Sequence, residues 1–324
     1  MMAVSKEESG DLLAKVSRWA LRAGLFVLGG IGAFVTVCAG AAYPLSSILV
    51  KPKLKRLSQL RNPRLRRFLI KKGLSFEEVC FSSFDGKKLY GWWVQSSSEK
   101  PTIIILHGVR GNRTNMVRFC IALCQANYNV LVFDGRAHGA SEGDFVTYGY
   151  HECKDVEAAI KFLETEKGVD PEKVGLLGLS MGAAISLQVA AKNKKIKAVW
   201  ADSPFASLRR VSLEYMSALT HLPETVLKPI AWSTFTVANR RGNFDIDHVE
   251  PLKVAPQIDC PVFLVHGAKD ELISYRHSQR IYEALNTDKH LWILPDANHT
   301  GCFKRGGKDY NQRMINFFQS AFAQ

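Results

Sequence analysis

The chain has 324 residues, 47% of them hydrophobic and 23% charged, a balance that builds a real core and excludes a disordered, collagen-like or low-complexity protein. Its 43 Lys and Arg against 30 Asp and Glu give a formal charge of +13, which taken whole suggests nucleic-acid binding. Located along the chain, the charge says something else. Residues 1–50 hold four basic and three acidic side chains, residues 51–72 hold ten basic and no acidic ones, and the remaining 252 residues hold 29 basic and 27 acidic. The excess is one strip with Phe68 as its single aromatic, beside a near-neutral remainder. No nucleic-acid partner is expected.

Immediately before that strip, Ala23 to Val50 runs for 28 residues without Asp, Glu, Lys, Arg or His. About 20 apolar helical residues cross a bilayer core, so 23–43 reads as a transmembrane helix that Pro44 ends. The glycines at 24, 29, 30, 32 and 40 would weaken a soluble helix but are tolerated in a span. A buried core helix would be shorter and keep a polar stripe. A cleaved signal peptide is the closer rival, since Ala39-Gly40-Ala41 resembles a cleavage site. The long N-terminal region and the ten positive charges that follow oppose it. Positive flanks stay in the cytosol, which places a single-pass anchor with the large domain cytosolic; export after cleavage is the alternative. Leu54, Leu57, Leu60, Leu65, Phe68 and Leu69 interleave with the basic residues, as in a segment lying on anionic lipid, although Asn62-Pro63 interrupts a helix there and a solvated linker fits as well. The expected organisation is a tail over 1–22, the span over 23–43, a basic linker over 44–74 and one large domain over 75–324.

Seven cysteines, odd in number and without a Cys-x-x-Cys pair, indicate neither a disulfide framework nor a zinc site. Cys120 and Cys124 share a helical spacing that suits two small core residues. Asn112-Arg113-Thr114 and Asn298-His299-Thr300 are formal glycosylation sequons.

Beyond residue 72, short apolar runs alternate with helical patterns. Strands are expected at Lys88–Val94, Thr102–Leu106, Val130–Phe133, Val174–Leu177, Ala198–Trp200, Val262–Val265 and His290–Leu294. The central ones are continuously apolar, as parallel strands buried on both faces must be. With helical stretches such as Glu152–Glu166 and Met181–Lys192 between them, they predict a doubly wound α/β sheet. From Pro204 to Pro261 only helical pieces occur, which predicts a small helical lid over about 206–256, above the carboxyl ends of the strands.

The run Val174-Gly175-Leu176-Leu177 leads into Gly178-Leu179-Ser180-Met181-Gly182 and then into a small-residue helix, so a G-x-S-x-G sits between strand and helix. Glycines two positions to either side of the serine are needed because a side chain there would collide with neighbouring backbone. The turn presents Ser180 as a nucleophile, with the Met181 amide facing a developing oxyanion. A serine needs a base, and the base an orienting acid, in the chain order Ser, acid, His. Asp270 follows the strand Val262–Val265, with its neighbour Glu271 as rival, and His299 follows the last strand. His107 and His266 precede glycines at strand ends and read as turn residues. Gly108, after Thr102–Leu106, lets the Val109 amide serve as second oxyanion donor.

His107-Gly108-Val109-Arg110-Gly111-Asn112, the segment from Asp134 to Gly143, the G-x-S-x-G, Asp202-Ser203-Pro204-Phe205, His266-Gly267-Ala268-Lys269-Asp270 and Asn298-His299 occur together in one order. The set resembles the α/β-hydrolase superfamily, in its serine-aminopeptidase-like and lysophospholipase-like branch with an N-terminal membrane anchor, across residues 75–322. The resemblance implies an eight-stranded, mostly parallel sheet, a lid after the sixth strand and a cofactor-free triad acting on esters, thioesters or amides. One departure is Asp134-Gly135-Arg136-Ala137-His138, where many members carry Asp-Tyr-Arg-Gly; it is expected to bear on substrate shape. The leading expectation is a membrane-anchored serine hydrolase of lipid-like or acylated substrates. A serine aminopeptidase-like peptidase is the alternative, and a non-catalytic scaffold on the same fold the second one.

Overall fold

The computed structural model describes residues 36, 38, 40–52, 67, 70, 71 and 75–323. Eight strands form one sheet: β1 (Ser75–Ser82), β2 (Lys88–Gln95), β3 (Thr102–Leu106), β4 (Asn129–Phe133), β5 (Val174–Leu179), β6 (Ile196–Asp202), β7 (Val262–Gly267) and β8 (Lys289–Leu294). Their order is β1-β2-β4-β3-β5-β6-β7-β8, with β2 antiparallel to both neighbours and the strands from β4 onward parallel. This is the α/β-hydrolase fold. The apolar runs behave as double-sided burial requires: Ile103 and Ile105 of β3 enter one core while Ile104 and Leu106 enter the other. The core of Ile104 and Leu106 packs under α3 (Glu152–Lys167) and α4 (Met181–Lys192), that of Ile103 and Ile105 under α2 (Val117–Gln125) and α9 (Cys302–Ala323).

Seven strands lie where the sequence places them, and β1 is the addition. At the sheet edge it pairs along its whole length with β2 and buries Val79 and Phe81 while Glu77, Glu78 and Cys80 face out. Two adjacent glutamates hide this alternation from a search for apolar runs.

Where the helical insertion is expected after β6, the chain forms a helical cap built by α5 (Leu208–Thr220), α6 (Glu224–Gly242) and α7 (Pro251–Val254). Phe205, Leu208, Val211, Leu227, Phe235 and Ile246 give it a core of its own, which also takes in Ala184 from the first turns of α4 and Ile273 from the loop after β7. The cap therefore rests on the two elements that carry Ser180 and Asp270. The remaining helix of the domain, α8 (Arg276–Ala284), lies between β7 and β8 in the chain.

The N-terminal expectations divide here. Residues 23–35 of the predicted span lie outside the described residues, and so does most of the basic strip. Among the described residues no helix is long and apolar enough to cross a membrane. Residues 40–50, read above as the end of a span and the start of a linker, form a helix (α1) that continues through Pro44 rather than stopping there. Cys38, Ala42, Ser46 and Val50 are buried at four-residue intervals, a single stripe packed on the domain. That packing outweighs the one helical hydrogen bond a proline removes. α1 therefore packs against the domain expected over 75–324. Arg241 of α6 reaches Tyr43 O, Ser46 Oγ and Ser47 Oγ at 3.2, 2.7 and 2.7 Å, and Ser233 Oγ donates to Cys38 O at 3.2 Å. The carboxyl end of α1 is capped from the loop after β4: Val146 N–H donates to Val50 O and Tyr148 Oη to Leu49 O, both at 2.9 Å.

Candidate active site

Ser180 stands between β5 and α4 with φ 55° and ψ −114°, a conformation that costs a non-glycine residue on the order of 1–3 kcal/mol. Local packing enforces it. A Cβ on Gly178 would lie 2.2 Å from Gly182 O, and one on Gly182 would lie 2.2 Å from Leu106 O. The chain can turn this tightly only with glycine at both positions. Ser180 N–H donates to Asp202 O at 2.7 Å, so the adjacent strand end holds the elbow from beneath.

The structure brings the three separated side chains together. Ser180 Oγ lies 3.0 Å from His299 Nε2, and His299 Nδ1 lies 2.7 Å from Asp270 Oδ2. Donation runs from the serine hydroxyl to Nε2 and from Nδ1–H to the carboxylate, which defines the neutral imidazole. Asp270 also accepts the amides of Leu272 and Ile273 on Oδ1, at 3.0 and 2.9 Å. Burial works to raise this carboxyl, but hydrogen bonds from His266 and His299 win and hold it well below the usual carboxylate range. It is ionised throughout the neutral range. The rival Glu271 points outward and is exposed.

The oxyanion loop lies directly against the serine: a Cβ on Gly108 would be 3.3 Å from Ser180 Cβ. β3 and β5 are neighbours in the sheet, with Leu106 opposite Gly178, which carries Val109 to the same corner as Met181. Met181 opens α4, so its amide has no carbonyl one turn earlier to bond. Two amides are thereby available beside the nucleophile.

Two histidines read as turn residues have larger roles. His266 is a β7 residue and fully buried; its Nε2–H is shared between Asp270 Oδ2 at 3.1 Å and Ile273 O at 2.8 Å, while Nδ1 takes the Ser278 hydroxyl at 2.7 Å. It shares Asp270 Oδ2 with His299. His107 donates Nδ1–H to Gly108 O at 2.8 Å and accepts Gly135 N–H on Nε2 at 2.9 Å, tying the oxyanion loop to the loop after β4. Burial pushes its pKa down to about 4, and does the same to His138, whose ring meets it edge-on at 4.8 Å. No local sequence signal separates such histidines from turn residues, because whether a ring braces a loop or faces solvent is set by how the loops fold against one another.

The departure at 134–138 also turns inward. Asp134 accepts Arg113 N–H at 2.7 Å, Arg113 Nη1 at 2.9 Å and Ala140 N–H at 2.9 Å, and Arg136 grips Asp155 through Nε and Nη2 at 2.7 and 2.6 Å. Asp134, Arg136 and His138 are all buried. The segment stiffens the floor of the site; it does not present these side chains to a substrate. Another buried carboxylate, Asp202, takes Ser203 Oγ–H and Tyr310 Oη–H at 2.9 Å each, and Tyr310 Oη accepts Trp200 Nε1–H at 2.7 Å. Burial raises the Asp202 pKa against those bonds. All seven cysteines are free, Cys120 and Cys124 buried on one helix face as expected. The first sequon is closed, since Asn112 is fully buried. Among the described residues no group of three His, Cys, Asp or Glu side chains is arranged to hold a metal ion.

Known proteins are similar to this chain in sequence and fold. The model of the prolyl oligopeptidase family matches residues 115–324. An uncharacterised Escherichia coli K12 protein, YfhR, is 30% identical over 255 residues, covering 76% of this chain and 82% of that one. The esterase Pf2001 of Pyrococcus furiosus superposes with a TM-score of 0.66 at 28% identity, over 83% of this chain and 97% of that one. The acylaminoacyl peptidase of Pyrococcus horikoshii shares the fold, with a TM-score of 0.60 at 17% identity over 78% of this chain and 43% of that one.

Proposed function

This chain belongs to the prolyl oligopeptidase family and is a serine hydrolase of the α/β-hydrolase fold, and from that premise we propose that it cleaves an ester or thioester of a lipid-like or acylated substrate from a membrane anchor. The observation that carries the reading is the hydrogen-bonded line from Ser180 through His299 to Asp270, seated under a cap with an apolar core. His299 Nε2 takes the Ser180 proton as Oγ attacks the acyl carbon, and the ionised Asp270 stabilises the imidazolium that forms. The Val109 and Met181 amides receive the oxyanion, each worth about 3–4 kcal/mol of transition-state stabilisation. His299 returns the proton to the leaving group, an acyl-enzyme remains on Ser180, and water activated by the same histidine releases the acid. No cofactor enters these steps.

The membrane part of the proposal rests on the uncharged stretch at 23–50 and the ten basic residues that follow, which together favour a single-pass anchor with the domain cytosolic. A lipid-like substrate is supported by that placement and by the apolar cap. The family description favours a second reading, hydrolysis of peptide amides. Purified full-length protein given a fluorophosphonate probe should label at Ser180; a folded, unlabelled protein would support a scaffold instead. Competition of that labelling by a monoacyl ester, an acyl thioester and a blocked peptide then ranks the substrates, and protection by the peptide alone would replace the lipid reading with the peptidase one.

A further inference from the structure

The cap carries apolar side chains that neither its core nor the active site uses. Leu219 closes α5, Leu222 lies in the turn, Val226 in the first turn of α6, and Trp232 two turns on; all are exposed, Leu219 and Trp232 by 66% and 67%. Between residues 215 and 232 the one carboxylate is Glu224, which is paired with Arg210 at 2.9 Å, while Lys228 stands on the exposed side of α6. This tip is therefore apolar with a cationic member, the composition of an interfacial surface.

Where the N-terminal chain enters identifies what the tip meets. The Cys38 carbonyl is bonded by Ser233, the neighbour of Trp232, and residues 43–47 are held by Arg241, so α1 runs parallel to α6 from Trp232 toward the domain. The chain thus meets the domain at Cys38, at the Trp232 end of α6; in sequence the uncharged residues 23–35 precede that point, and the strip of ten basic residues begins as soon as α1 ends. An apolar run on one flank and a cationic strip on the other leave one occupant that matches both: an anionic lipid bilayer.

We propose that the outer tip of the cap, Leu219, Leu222, Val226 and Trp232, inserts into the interface of the bilayer that the N-terminal run crosses, which sets the cap of the active site on the lipid surface. The inference rests on the membrane reading given above. It makes α1 a strut of fixed length, clamped by Arg241, that holds the domain with its cap downward.

The test uses the full chain reconstituted into vesicles of phosphatidylcholine with a minority of phosphatidylserine, the acyl chains carrying bromine. Wild-type tryptophan emission should be quenched, and the Trp232→Phe protein should lack that quenchable component. The variant Leu219→Ser/Leu222→Ser/Val226→Ser should keep its kcat/KM on a soluble p-nitrophenyl ester within about twofold and lose roughly tenfold on a long-chain monoacyl ester dispersed in the same vesicles. Quenching that is identical in wild type and Trp232→Phe overturns the proposal, as does a triple variant with unchanged vesicle activity. Self-association of the wild type that the triple substitution abolishes would assign the tip to a second copy of the chain and overturn it too. The quenching measurement needs no turnover, so it decides the bilayer contact even if none of the esters offered is hydrolysed.

Discussion

The floor of the site and its cap are built on opposite principles. In the floor, Asp270, His266, His107, Asp134, Arg136 and Asp202 are buried polar groups, each with hydrogen-bond partners. In the cap, the polar contacts are surface ion pairs such as Arg209–Asp247 and Arg210–Glu224, and cohesion comes from a small apolar cluster. Buried polar networks tolerate almost no change because a lost partner leaves a desolvated group, whereas exposed pairs are nearly neutral. Chemistry is therefore held by the part that cannot vary, and substrate access by the part that can.

This contrast can be broken experimentally, and the severest attempt is on the nucleophile. Ser180→Ala should reduce single-turnover hydrolysis of a p-nitrophenyl ester by at least about 10⁴-fold with the urea midpoint unchanged, since it removes the reacting oxygen and little packing. Retained turnover would move the nucleophile elsewhere. Gly182→Ala should cost about 3 kcal/mol or more in equilibrium unfolding, because its Cβ would meet the Leu106 carbonyl at 2.2 Å and backbone cannot yield as a side chain does. A stable Gly182→Ala enzyme would show that the floor is more compliant than its contacts imply.

The buried histidines give the floor a pH signature. His107 and His138 are lowered from 6.5 to about 4 by burial, so below pH 6.5 the unfolded chain binds protons that the folded one refuses. Stability should fall as pH drops from 6.5 to about 4, by on the order of 3 kcal/mol for each ring. His138→Phe removes one titrating group, and chemical denaturation across that range should show a visibly shallower slope. An unchanged slope would mean that these rings are protonated in the folded protein. At the small end, Arg209→Ala in the cap should shift stability by less than about 1 kcal/mol, as befits an exposed ion pair. A larger loss would place the cap among the rigid parts.

What could be read in advance follows how local its cause is. The elbow at 178–182 was legible because its glycines answer collisions within five residues and with the neighbouring strand end. Ser180, Asp270 and His299 were legible because each follows a strand whose apolar run announces it. His266 and His107 were not, since nothing adjacent to them distinguishes a brace from a turn. The segment at 134–138 was located correctly but turned the wrong way, because Arg113 and Asp155, which draw it inward, lie about twenty residues away on either side.

By itself, then, the amino-acid sequence determined the strand–helix alternation, the parallel core of the sheet, the helical insertion after the sixth strand and the order of the three site residues. Those follow from periodicity, burial on two faces and backbone sterics, all of which act over a few residues. Only the tertiary structure decided that β1 extends the sheet, that α1 passes Pro44 to dock on α6, and that a second histidine shares the acid with His299. The docking of α1 depends on Arg241, 198 residues beyond Tyr43, whereas β1 and His266 meet partners close in sequence that only the folded arrangement brings into contact. The stabilisation comes from pairing and burial that exist only once the chain has folded, and a local pattern carries no trace of it.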